Sequence, residues 1–254
     1  MIGKIKSAAS VLLDLVFVPR CAACGTALPD KKPVLCDECK KMYDTESKMR
    51  CTACGYPHPK CVCRINYKGH SFPFVHLTSY SLKRNSASRN IVLGIKDENE
   101  GAVFEFLADE LVKALKERDD IVFPASYSEL LITYLPRSDN AKRKAGHDQA
   151  EILARMVAKR LSARFLKVFS NIGEASQKTL NKAKRKENAE ENYGIICKRA
   201  DIYGKNIILI DDIVTSGASM GVCAKLLKNA GASNVVGLVC AKTDNRRGIT
   251  EEKY

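Results

Sequence analysis

Eight of the chain's 11 cysteines fall between Cys21 and Cys63, and they come as four short pairs. These are Cys21 with Cys24, Cys36 with Cys39, Cys51 with Cys54, and Cys61 with Cys63. A CxxC turn presents two thiolates to one side of an ion, and two such pairs complete the tetrahedron that zinc requires. Gly25 and Gly55 follow the second cysteine of two pairs, where a positive φ lets backbone amides face the sulfurs. The simplest assignment is sequential, with Cys21, Cys24, Cys36 and Cys39 on one zinc and Cys51, Cys54, Cys61 and Cys63 on the other. An interleaved assignment stays open, as does replacement of a ligand by His58. Four thiolates leave no open coordination position, so both zincs are structural. The segment has little apolar content, so metal binding is expected to fold it. Clustered cysteines kept as thiols rather than disulfides point to a reducing, cytoplasmic compartment.

The 254 residues allow one or two domains, and with 45% hydrophobic and 28% charged residues the composition is that of a globular protein. No apolar run approaches the roughly 18 residues that span a bilayer. Near the start, Lys4 and Lys6 precede an apolar stretch from Ala8 to Val18, which Asp14 interrupts. No small-residue cleavage site follows. Val11, Leu12, Leu15 and Val16 give an amphipathic helix, docked on its own protein or on a membrane surface or partner. The formal charge is +13. Two zinc sites with four thiolates each would lower it to about +9, entirely within the N-terminal part. Between Arg137 and Lys186 stand 14 Lys or Arg against 4 Asp or Glu, concentrated in two loops, Arg137 to Lys144 and Lys178 to Lys186. Such a surface suits a polyanion: a pyrophosphate, a sugar phosphate or a nucleic acid.

Beyond the cysteines, strand-like and helix-like stretches alternate. Strands are expected over Phe74 to Tyr80, Leu130 to Leu135, Leu166 to Phe169, Ile207 to Ile210 and Val235 to Cys240. Helices are expected over Ser86 to Ile95, Gly101 to Lys116, Ala150 to Leu161 and Met220 to Asn229, the last capped by Gly231. Continuous Val, Ile and Leu strands alternating with helices predict an open parallel α/β sheet with helices on both faces. The boundary between the two parts falls near Lys68 to Ser71, giving units 1–70 and 71–254.

The sharpest chemical signal runs from Ile207 to Met220. A buried strand ends in two carboxylates, Asp211 and Asp212, and a turn of small and hydroxylated residues, Thr215, Ser216, Gly217, Ala218 and Ser219, opens a helix. In an open α/β sheet, ligands bind beyond the carboxyl ends of the strands. Free N–H groups at a helix start, with nearby hydroxyls, cradle a phosphate. The carboxylates can hold vicinal hydroxyls a few ångströms away, so a sugar phosphate suits both halves. Neither G-x-x-x-x-G-K-[ST] nor G-x-G-x-x-G occurs, so nucleotide motifs of those kinds are excluded.

Ile208 to Met220 resembles the phosphoribosyl pyrophosphate (PRPP) motif of type I phosphoribosyltransferases, and the whole chain is similar to the ComF family, a double zinc ribbon followed by a phosphoribosyltransferase-like domain. Lys96 after an apolar helix fits that family. So do Gln177 to Leu180 with Arg185 and Asn188, and Arg143 to Ala150, where Ala145, Gly146, His147 and Asp148 stand for the family's Arg-Gly-Phe-Asn. The resemblance implies phosphoribosyl transfer from PRPP, with Mg2+ and release of pyrophosphate. It implies Asp211 and Asp212 on the ribose hydroxyls, Thr215 to Ser219 on the 5-phosphate, and Arg143, Lys144, Lys184 and Arg185 on the pyrophosphate. It also implies a link to DNA uptake in natural competence. The alternative is a non-catalytic adaptor whose basic loops bind single-stranded DNA, or whose ribbons bind a helicase-like competence protein.

Overall fold

The computed structural model describes residues 18–29, 34–80, 86–94, 100–121, 124, 126–138, 143, 146–171 and 192–243. The expected N-terminal helix, apart from Val18, and Lys96, Lys144, Lys184 and Arg185 lie outside them.

The centre of the fold is β7 (Asn206–Val214), flanked on one side by β3 (Leu131–Tyr134) and on the other by β8 (Asn234–Thr243). All three are parallel, and β2 (His70–Tyr80) adds a fourth parallel strand beside β8. The edges are β4 (Arg164–Phe165), parallel to β3, and β1 (Arg64–Tyr67), antiparallel to β2, giving the order β1-β2-β8-β7-β3-β4. Lys68 and Gly69, with φ of 45° and 81°, make the two-residue turn between β1 and β2. Positive φ at both positions matches the right-handed twist of a tight hairpin.

Ile208 and Ile210 face one core, and Ile207 and Leu209 face another. The sheet is thus buried on both sides, which explains its uninterrupted apolar strands. The first face is covered by α1 (Asp37–Ser47), α2 (Ala87–Gly94), α3 (Glu100–Lys116) and α4 (Gln149–Leu161). The second is covered by α5 (Ala218–Asn229) and a small antiparallel pair, β5 (Phe169–Asn171) with β6 (Tyr193–Ile195). At the end of α5, Gly231 has φ of 95°, its N–H bonds the Lys228 carbonyl, and the Ala232 N–H bonds that of Leu227. This is the glycine-dependent helix stop expected there.

Two expectations are corrected. The strand expected over Leu166 to Phe169 is two strands, 164–165 and 169–171. The Leu166 N–H still bonds the Ile132 carbonyl, but the chain then leaves the sheet edge and buries Val168 against the opposite face. The central strand does not stop at Ile210. It runs to Val214 because β8 keeps pairing with it, Asp211 opposite Val239 and Val214 opposite Lys242.

The cysteine-rich part packs directly on this sheet. Leu28, Leu35, Cys39 and Tyr43 belong to the same core as α2 and α3. Glu46, at the end of α1, accepts from the backbone N–H groups of Ala87 (3.2 Å) and Ser88 (2.7 Å) and from the Ser86 hydroxyl (3.2 Å). A carboxylate from the ribbon therefore caps the N-terminus of α2, where helices favour negative charge. Asn90 of α2 donates to the Ala23 carbonyl at 2.8 Å.

Candidate functional site

The eight cysteines form two groups of four, and their sequence order decides the grouping: Cys21, Cys24, Cys36 and Cys39, then Cys51, Cys54, Cys61 and Cys63. Within each group the sulfurs lie within 4.8 Å of one another. Zinc–sulfur bonds of about 2.3 Å give a tetrahedron with edges of about 3.8 Å. Cys24 to Cys36 is 3.8 Å, Cys51 to Cys63 is 3.7 Å and Cys54 to Cys61 is 3.4 Å. A disulfide, at about 2.05 Å, is far shorter. The donor sets fit two zinc ions, the Cys61–Cys63 pair included.

The two sites repeat one local design. Arg20 donates to the Gly25 carbonyl and Arg50 to that of Gly55, at 3.1 and 2.9 Å. Gly25 and Gly55 have φ of 76° and 74°, and each N–H bonds the carbonyl of the first cysteine of its pair. His58 takes no ligand position. It is buried, and its Nδ1 lies 3.1 Å from Nε2 of the buried His76 on β2.

The second site is at the carboxyl end of β7. Asp211 and Asp212 are both half-buried. The Asp212 N–H donates to Asp211 Oδ1 at 2.9 Å, and the Ile213 N–H to Asp212 Oδ1 at 2.8 Å. Burial and the adjacent Asp212 carboxylate push the Asp211 carboxyl well above the ordinary carboxylate range, against the pull of Arg137. Arg137, just past the end of β3, donates from Nη2 to Asp212 Oδ2 at 2.5 Å. The Arg137 backbone N–H donates to the buried Asp148 carboxylate at 3.0 Å. The carboxylate at 148 is therefore a support for the Arg137 turn.

After β7, Thr215, Ser216 and Ser219 are exposed, and Gly217, with φ of 74°, stands at the N-cap of α5. A Cβ at Gly217 would lie 3.0 Å from Ile65, and one at Gly221 only 2.5 Å from Tyr67. Both glycines let edge strand β1 press on the loop and on α5. Tyr193 of β6 flanks the loop; burial pushes its phenol up to about 12, against its hydrogen bond with Ser219.

Asp211, Asp212 and Thr215 to Ser219 thus form one cluster, while Arg143 is exposed. Arg137 is the residue that the sequence reading counted only as part of a basic loop. Its signal was positional: it is the first charged residue after a buried strand, beside the strand that carries the carboxylates.

A family profile for the phosphoribosyl transferase domain matches residues 147–254, and one for the double zinc ribbon domain matches residues 12–67. Among solved structures, an allosteric regulatory enzyme of purine biosynthesis is 15% identical with a TM-score of 0.36, over 54% of this chain and 25% of that one. Glutamine phosphoribosylpyrophosphate amidotransferase from B. subtilis gives 16% and 0.33, over 53% and 25%. Hypoxanthine phosphoribosyl transferase from Trypanosoma cruzi gives 14% and 0.31, over 59% and 67%. The chain spans about a quarter of the length of the first two. Comparison with curated proteins returned no match. In domain content and order, a double zinc ribbon followed by a phosphoribosyltransferase domain, the chain has the ComF-like architecture.

Proposed function

We propose that the carboxyl end of β7 binds PRPP or a related sugar phosphate together with Mg2+. The observation that supports this most is the half-buried pair Asp211 and Asp212, followed within a few residues by the exposed hydroxyls of Thr215, Ser216 and Ser219 at the start of α5. In this reading the carboxylates hold the ribose hydroxyls, and the loop from Thr215 to Ser219 holds the 5-phosphate. Arg137 neutralises Asp212 until a ligand's hydroxyls replace it. Arg143, with Lys144, Lys184 and Arg185, meets the pyrophosphate. Mg2+ bound with the ligand beside Asp211 and Asp212 would neutralise the charge of the leaving pyrophosphate. Transfer of the phosphoribosyl group is the reaction such a site would serve.

Titration calorimetry of the zinc-loaded chain with PRPP and Mg2+ tests the reading. Saturable binding that Asp212→Ala removes, with both zincs retained, is the expected result. Absence of binding by the unaltered chain would overturn it. The exposed Arg143 within its basic loop supports an alternative, single-stranded DNA bound without regard to Asp212, in the context of DNA uptake and a helicase-like partner. That alternative predicts affinity that falls steeply with salt and survives Asp212→Ala.

A further inference from the structure

Lys242, near the end of β8, is 5% exposed, and its ammonium lies 3.8 Å from Cys51 Sγ. No carboxylate among the described residues pairs with it. The neighbouring buried cation, Arg118, is already satisfied by Asp120, at 2.5 Å, and by the Phe74 carbonyl. A buried ammonium is tolerated only beside a compensating anion. A neutral thiol does not provide one, but four thiolates around Zn2+ carry a net charge of −2. The burial of Lys242 is thus accounted for by a zinc-loaded second tetrad. The first tetrad is built differently: Cys24 is exposed, and its sulfur meets the hydroxyl of Thr26 at 3.2 Å. Each tetrad has two buried cysteines, Cys21 and Cys39 in the first and Cys51 and Cys61 in the second, so the difference lies in the exposed Cys24, which has no counterpart in the second, and in Lys242.

We propose that Lys242 is the cation that balances the second zinc site, and that the two zincs are consequently unequal, the second retained and the first exchanging. Zinc exchange requires a thiolate to leave the ion for a competing ligand. A buried ammonium hydrogen-bonded to Cys51 holds that sulfur in place and offsets the charge of the zinc-bound tetrad. Outer partners of this kind typically change metal affinity by about 10- to 100-fold.

The test uses the full zinc-loaded chain and an excess of a chromophoric chelator. Unaltered protein should release its zinc in two phases of equal amplitude. Lys242→Met should speed the slow phase at least about tenfold without altering the fast one, and Lys242→Arg should restore the slow phase. A single phase carrying both zincs, or an unchanged slow phase in Lys242→Met, would refute the assignment. Native alkylation with peptide mapping ties the phases to sites: Cys24 and Cys36 should label before Cys51 and Cys61, and the reverse order refutes it as well. If Lys242→Met does not fold, Lys242→Arg decides together with the alkylation order, because loss of the slow phase in a variant that keeps the charge contradicts the proposal.

Discussion

Replacing Glu46 by alanine isolates the join between the ribbon and the sheet. The carboxylate receives the N–H groups of Ala87 and Ser88 and the hydroxyl of Ser86. Loss of a helix cap costs about 0.5–2 kcal/mol, and loss of negative charge at the helix start about 0.3–1 kcal/mol. Ser88 is 1% exposed, so its N–H is left without a partner, a penalty of about 1–3 kcal/mol. These terms overlap, and together they amount to about 2–4 kcal/mol. Glu46→Gln keeps an acceptor oxygen and should cost about 1 kcal/mol, the charge component alone. At about 2–4 °C per kcal/mol for a chain of this size, Glu46→Ala should lower the midpoint by about 4–16 °C and Glu46→Gln by less than half of that. Thermal unfolding followed by far-UV circular dichroism, at matched free zinc, gives the numbers. A Glu46→Ala midpoint within about 1 °C of the parent would show that the cap contributes nothing, and the reasoning that couples ribbon to sheet through α2 would fail.

Other consequences are open to direct measurement. Because the Asp211 carboxyl is raised in the folded state, its contribution is fully present below its unfolded value and is lost as pH rises through the folded value. Asp211→Asn should therefore melt higher than the parent at pH 8 by more than at pH 4; an equal difference at both would contradict the burial argument. Gly221→Ala gains about 1 kcal/mol of helix propensity but drives a methyl against Tyr67, at a cost of about 1–3 kcal/mol. A urea midpoint that rises clearly in that variant would mean that β1 does not rest on α5. Metal analysis should give two zincs per chain, and a value of one would remove one tetrad. Arg143→Ala should weaken PRPP binding at least about tenfold while sparing ribose 5-phosphate, since the proposed reading places that charge on the pyrophosphate alone; equal losses for both ligands would place Arg143 on the sugar side.

Periodicity carried the sheet. Ile207 to Ile210 and Val235 to Cys240 read as buried strands because each is apolar on both faces, and both are strands. The sequential grouping of cysteines was the simplest reading of their spacing, but the interleaved alternative is settled only by the folded positions of the sulfurs. Contacts between distant segments were not legible. Arg137 meets Asp212 across 75 residues, Glu46 caps a helix 41 residues on, and Lys242 meets Cys51 across 191. Local pattern says which face of a strand is buried, but not which strand lies beside it, and these pairings depend on strand order. The extension of β7 through Asp211 and Asp212 was missed for a related reason: two carboxylates look like a strand end until β8 is seen pairing beyond them.

The separation between Cys51 and Lys242 also sets an order of events during synthesis. The ribbon cysteines leave the ribosome first, and at about 5–20 residues per second the lysine follows roughly 10–40 s later. For that interval the second zinc must be held by thiolates alone, in a chain that does not yet have β8. A chain stopped before Asn234 should consequently load zinc yet surrender both ions to a chelator at the fast rate. Tight retention of the second metal then marks a chain that has been translated through β8 and folded, and it reports completion of the sheet from a place far upstream in the polypeptide.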